Sequence, residues 1–214
     1  MFEAQFVESQ EVVGMKIVGT FRDLDRPDRF VWIRAFNDMP SRAQALNSFY
    51  SGPVWKAHGK AAAATMIDST NVLLLRVTRP QSGLAVTGTR PPQGATTEPR
   101  ALIVANIYSF ERAVDSAFVE FFERAAVPEL KAAGIPVLAT YVTETAANNY
   151  PPLPVRADRV FVWFTRFADR ADYDSRMAKL RSSARWNSVA ERLWRKSAPE
   201  VLLLQPTPRS LLGG

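Results

Sequence analysis

FVWIRAFND, residues 30–38, and FVWFTRFAD, residues 161–169, are nearly the same string written twice. Phe30, Val31, Trp32, Phe36 and Asp38 recur as Phe161, Val162, Trp163, Phe167 and Asp169 at a constant offset of 131. The same offset places Trp55 on Trp186. Upstream, VVGMKIVGTF (12–21) matches AAGIPVLATY (132–141) at an offset of 120, with Gly14 on Gly134 and Phe21 on Tyr141. Downstream, VLLL at 72–75 returns at 201–204. Four matches in one order point to an internal duplication. The change of offset from 120 to 131 puts 11 extra residues in one loop of the second repeat.

The second repeat shows the element order most fully. LIVANIYSF (102–110) reads as a strand, and ERAVDSAFVEFFERAAVPELKAAG (111–134) as a helix bent at Pro128 and stopped by Gly134. PVLATYV and VFVWFTRF read as strands. DRADYDSRMAKL and ARWNSVAERLWRKS read as helical, with Trp186, Val189, Ala190, Leu193 and Trp194 at helical spacing. VLLLQP closes the unit as a strand. The order β-α-β-β-α-β is the ferredoxin-like unit. The expected fold class is α+β: two ferredoxin-like repeats in tandem, forming a pseudo-dimeric α/β barrel. Self-association into a homo-oligomer is expected, because sheets of this class pair.

The domain reading is 1–78 for the first repeat, 79–100 for a linker and 101–214 for the second repeat. The linker holds four prolines, three glycines and no aromatic residue, and is expected to cross the surface. Residue 1 aligns with residue 121, so the first repeat lacks about 20 residues, its first strand and half its first helix. The expectation is that the native chain begins upstream and that Met1 is an internal methionine.

Composition sets outer bounds. The 214 residues are 47% hydrophobic and 22% charged, as in soluble globular proteins. No apolar run is long enough to span a membrane, and MFEAQFVESQ, with two glutamates and no basic residue, is not expected to be a signal peptide. The cytoplasm is the default location. Cysteine is absent, which excludes disulfides, thiolate nucleophiles and Cys-type metal sites. The net charge of +6 comes from scattered arginines rather than a basic block, so no nucleic-acid partner is expected. No G-x-G-x-x-G, Walker, G-x-S-x-G or H-E-x-x-H string occurs, and no cofactor or metal is expected.

FRDLDRPDRFVWIRAFNDM, FYSGPVWKAH and ATMIDSTNVLLLRV resemble the NIPSNAP family, densely over residues 6 to 77. NNYPPLPVRADRVFVWFTRFAD resembles the C-terminal repeat of its two-repeat bacterial members. The resemblance implies the dimeric α/β-barrel superfamily of ferredoxin-like folds. It implies no particular reaction, since NIPSNAP proteins have no agreed one and the superfamily holds cofactor-independent monooxygenases, haem proteins and dehydratases. In those relatives ligands sit between a sheet and its helices or inside the barrel. The expected function is binding of a small apolar ligand with an anionic or carbonyl head, with cofactor-independent oxygenation or isomerisation as the fitting chemistry. The alternative is a scaffold or interaction protein with a solid core; whether the chain is an enzyme stays open.

The catalytic candidates are His58 and Arg34. Phe30, Trp32, Arg34 and Phe36 share one strand face, taken as the barrel lumen, where an arginine is either a clamp for an anion or carbonyl or one half of a salt bridge. His58 is the chain's single histidine. It shares a helical face with Trp55 if a helix starts at Pro53, and is either a proton carrier or a packed ring. Thr165 and Val189 stand at the matching places of the second repeat, so the fold itself requires neither charge. The ligand-binding candidates are Trp32, Tyr50, Trp55, Lys56, Asn106, Tyr108 and Trp163, with Asn106 and Tyr108 expected to line the lumen. The tryptophans read equally as scaffold. The loop TETAANNYPPLPVRA (143–157) is either a lid or a surface excursion.

Overall fold

A computed structural model of the chain describes residues 1–193 and 198–213, so Trp194 lies outside the described residues. Helices α1 (Phe2–Gln5) and α2 (Val7–Glu11) lead into the hairpin of β1 (Lys16–Asp23) and β2 (Phe30–Ala35). Asp38 then caps α3 (Met39–Ser51), its carboxylate accepting from the Ser41 N–H. Gly52 ends α3 and Pro53 opens α4 (Pro53–Ala63), the start expected from the Gly-Pro pair. The short strand β3 (Leu75–Val77) follows. Of the VLLL run at 72–75, only Leu75 is in a strand. Val72 and Leu74 instead use their carbonyls to hold Arg156 and Glu144.

The second half begins with β4 (Leu102–Phe110). The helix expected over 111–134 starts later, at Ser116, where Asp115 caps it. It runs as α5 (Ser116–Phe121), a π-helical turn (Phe122–Ala126) and α6 (Val127–Ala132). Pro128 lies in the first turn of α6, so the irregularity falls just before the proline, where its missing N–H removes a ladder bond. Gly134, at φ +82°, supplies the left-handed stop. Strands β5 (Ala139–Thr143) and β6 (Arg159–Phe167), helices α7 (Arg170–Arg181) and α8 (Ala184–Leu193) and strand β7 (Glu200–Pro206) complete the fold. Asp169 caps α7 as Asp38 caps α3.

All seven strands join one antiparallel sheet in the order β2-β1-β7-β4-β6-β5-β3. Within it, β7-β4-β6-β5 is the ferredoxin-like arrangement of the second half. The first half extends both ends: β1 pairs with β7 and β3 pairs with β5. The fold is therefore α+β with a curled seven-stranded sheet, whose edges are β2 and β3.

Period-two alternation sorts the side chains. The inner face carries Val31, Ile33, Ile103, Ala105, Ile107, Val160, Val162, Phe164, Leu202 and Leu204 in one apolar cluster. The outer face carries Val104, Tyr108, Phe161, Trp163 and Phe167, packed beneath α5, α6 and α8. Two expectations are corrected here. Trp32 and Arg34 alternate with the inward Val31 and Ile33, so they face the helix layer rather than the lumen. Asn106 and Tyr108 alternate with the inward Ala105 and Ile107 and face the helices too. A row of aliphatic side chains buries more apolar area on the enclosed face, and that preference sets the parity.

The segment 79–100 is more than a surface linker. Leu84 and Val86 pack into the inner cluster. Arg90 donates to Ile17 O at 2.5 Å, Arg209 O at 2.6 Å and Glu11 Oε1 at 2.6 Å, tying the segment to β1, α2 and the C-terminal tail. Arg209, 3% exposed, joins the same corner through Glu8, Pro91 O at 3.0 Å and Glu3 O.

The β1–β2 register shifts between Ile17 and Gly19. The ring of Phe21, fully buried, lies across Gly19, and a Cβ there would fall 2.3 Å from Phe21 Cζ. Gly19→Ala is therefore expected to destabilise the fold by about 2 kcal/mol through overpacking. Urea denaturation measures it; a loss below ~0.5 kcal/mol would mean that the Phe21 ring has room to move.

Candidate functional site

In the second half, the polar residues of the outer sheet face gather under the helices. Asn106 on β4 stands opposite Trp163 on β6, and Trp163 stands opposite Thr140 on β5. Thr165 follows on the same face. Asn106, Tyr108, Trp163 and Thr165 are each at most 7% exposed. Thus three of the ligand-binding candidates, Asn106, Tyr108 and Trp163, do come together. Thr140 is satisfied by Thr78 and by Ser82, which donates to Thr140 O at 3.0 Å. Among the described residues Thr165 Oγ1 has no hydrogen-bond partner. Leaving such a buried group unpaired costs on the order of 1–3 kcal/mol. The π-helical turn forms the roof: the Phe122 ring is 5.9 Å from the Trp163 ring and 4.7 Å from that of Phe161. Burial pushes the Tyr108 phenol up to about 12, with the neighbouring Trp163 pulling the other way. Tyr108 is therefore a neutral group at any ordinary pH.

In the first half, the matching place is cationic. Arg34 Nη1 donates to Gln10 Oε1 at 3.0 Å, and its guanidinium lies 5.9 Å from the centre of the Phe36 ring. Gln10, itself 2% exposed, is fixed by donating from Nε2 to Phe6 O at 2.8 Å. Arg42, on α3 and 3% exposed, uses Nη1 to donate to Asn148 Oδ1 at 3.0 Å and Asn149 Oδ1 at 2.7 Å. Burial, and then the nearby Arg34 charge, push the Arg42 guanidinium below its ordinary value. No described ion pair includes either arginine. The 143–157 loop thus reaches across to the first half: Tyr150 stacks on Tyr50, ring centres 5.8 Å apart at 16°.

The other candidates are scattered around this cluster. Trp55 packs edge-on to Tyr50 at 4.7 Å and covers Gly59, where a Cβ would meet its ring at 2.6 Å. Trp32 packs against Phe2 at 5.3 Å. Lys56 is exposed and His58 half-buried on α4. A cleft of about 320 Å³ opens beside β3, β5 and β6, lined by Arg76, Val114, Thr143, Glu144, Arg156 and Arg159. A neighbouring hollow of about 270 Å³ at Ser109, Glu111 and Asp158 shares Arg159 with it. Neither takes in Arg34 or His58, so the structure does not bring the two catalytic candidates into either space.

Arg42, Asn148, Asn149 and Tyr150 were missed in the sequence. A signal existed for the first: Arg42 sits on the stripe it shares with the buried Ala45, Leu46 and Phe49 of α3, an arginine on an apolar helical face. Nothing local marks Asn148–Tyr150, whose role comes from a contact more than a hundred residues away. Among the described residues no group of three or more His, Asp and Glu could hold a metal ion, and no helix is long and apolar enough to cross a membrane.

No protein-family model matches the chain, and no curated protein matches it. Among solved structures, it is similar to a provisional monooxygenase from Lactobacillus acidophilus NCFM, at 11% identity and a TM-score of 0.44, over 96% of this chain and 87% of the other. It is also similar to a provisional monooxygenase from Fusobacterium nucleatum subsp. nucleatum, at 13% identity and a TM-score of 0.48, over 98% of this chain and 85% of the other.

The raised phenol of Tyr108 gives a test of its burial. The protonated form is favoured in the fold, so its contribution is complete below the ordinary phenol value near 10 and is lost as pH rises through about 12. Tyr108→Phe keeps the ring and removes the titration. Unfolding free energies from urea titrations are expected to fall more steeply between pH 10 and 12 for the wild type than for the variant, by up to about 2 kcal/mol. Parallel declines would place the hydroxyl in water.

Proposed function

We propose that the protein is a NIPSNAP-type member of the dimeric α/β-barrel superfamily that binds a small, mostly apolar molecule by its carbonyl head. The observation that carries this reading is the unclaimed Thr165 Oγ1, on one buried face with the Trp163 indole and the Asn106 amide. An apolar enclosure with a few convergent donors is what a ligand with a single polar end requires. An indole N–H, a hydroxyl and an amide are all neutral donors, suited to a carbonyl oxygen. The fitting reactions are cofactor-independent oxygenation and isomerisation, in which an enolate oxygen gains negative charge and fixed donors stabilise it. Tyr108, protonated throughout the physiological range, is the nearby group able to hold a proton in place.

A second reading, an interaction protein without chemistry, is favoured by one observation. Neither cleft takes in Arg34 or His58, and both sheet faces are packed with side chains.

Thermal unfolding with acetophenone and with ethylbenzene separates the readings, since the two probes differ in the carbonyl. Acetophenone is expected to raise the melting temperature and ethylbenzene to leave it unchanged. Thr165→Val removes the unpaired hydroxyl without changing shape, so it is expected to stabilise the ligand-free protein by ~1 kcal/mol and to abolish the acetophenone shift. Equal responses to both probes, or a Thr165→Val protein no more stable than the wild type, would favour the interaction reading.

A further inference from the structure

We infer that Arg34 and Arg42 form a second binding site, on the first half of the chain, for the dianionic head of a phosphate monoester. The inference is independent of the carbonyl reading, which concerns other residues on the other half.

Both guanidiniums border one packed cluster: Arg34 lies over Phe36 and beside Met15, Arg42 is held by Asn148 and Asn149 next to Tyr150, and Met15, Phe36 and Tyr150 belong to that cluster. Arg42 is almost wholly buried, and no carboxylate is paired with either arginine among the described residues. Arrangements of this kind cost free energy unless an anion completes them. The fold does not impose the cost. At an offset of 131, Arg34 corresponds to Thr165 and Arg42 to Tyr173, and the second half builds the same strand and helix with those uncharged residues.

The two side chains are also held in place. Asn148 Nδ2 donates to Leu153 O at 2.9 Å and Asn149 Nδ2 to Met39 O at 2.6 Å, which fixes both amides with their oxygens toward Arg42. Gln10 does the same for Arg34. These bonds use Nη1 of each arginine. Nε and Nη2 of both donate to no acceptor among the described residues, leaving two guanidinium edges for oxygen atoms.

Two positive charges match a head of charge −2 better than a single carboxylate. The stacked rings of Tyr50 and Tyr150, in the same cluster as the Phe36 ring under Arg34, offer a flat wall to the organic part of such an ester. Arginine rather than lysine suits the task, because its planar fork meets two oxygens at once. The clefts at Arg76 and Arg159 lack this pairing. There Arg156 is engaged by Asp158 at 2.9 Å and lies 3.7 Å from Glu200.

Isothermal titration with phenyl phosphate, inorganic phosphate and benzoate at constant ionic strength tests the assignment. Phenyl phosphate is expected to bind most tightly, inorganic phosphate next and benzoate at least tenfold more weakly. Arg42→Met and Arg34→Gln are each expected to weaken phenyl phosphate by tenfold or more. Arg42→Lys, which keeps the charge but not the fork, is expected to fall between. Arg124→Gln, at an exposed arginine on the other half, is expected to leave binding unchanged. Should Arg42→Met fail to fold, Arg34→Gln decides alone, since Arg34 is only half-buried. Equal affinity for benzoate and phenyl phosphate, or unchanged binding in Arg34→Gln, would overturn the assignment.

Discussion

The inner face of the curled sheet sets the terms for everything else. Strands from both halves contribute aliphatic side chains to it, and Leu84 and Val86 add their own from the 79–100 segment. Once Val31 and Ile33 are committed inward, Trp32 and Arg34 have one place left to go, beneath the helices. The same parity sends Asn106, Tyr108, Trp163 and Thr165 outward as a set. An enclosed apolar face tolerates no guanidinium without a counter-charge, so the charged chemistry collects in the helix layers.

Two stretches, β2 with α3 and β6 with α7, share a strand, an Asp cap and a helix but differ in electrostatics. Asp38 and Asp169 cap the corresponding helices with the same hydrogen bond, and Trp55 and Trp186 sit at matching helical positions. Against that shared frame stand Arg34 with Thr165, Arg42 with Tyr173 and His58 with Val189. The first half therefore carries positive charge where the second carries neutral polar groups. The 143–157 loop couples them: it belongs to the second half in sequence, yet Asn148 and Asn149 orient the first half's Arg42.

Much of the architecture was legible because apolar runs and caps act locally. LIVANIYSF, VFVWFTRF and VLLLQP became β4, β6 and β7, and the Gly-Pro pair did start α4. Parity was not legible in FVWIRAF, since both of its faces hold large apolar residues and only the assembled sheet decides which is enclosed. The true start of the 111–134 helix depended on Asp115 capping, and the π-helical turn on the ladder bond missing at Pro128. Among site candidates, Asn106 and Trp163 could be paired from strand alternation, whereas Arg42 needed the fold to show that its neighbours on α3 are buried.

One last feature concerns time rather than space. Strand β7, residues 200–206, lies between β1 and β4, so the strand latest in the chain joins the earliest hairpin to the second half's sheet. On a ribosome, the β1–β2 hairpin must wait for more than 160 residues of further synthesis, an interval on the order of ten seconds. During it, the Val31 and Ile33 side of that hairpin lacks the strands of the second half that later cover it. Loss of residues 200–214 would strip away β7 and leave the β1–β2 hairpin without its strand partner in the sheet, while β3 kept its pairing with β5.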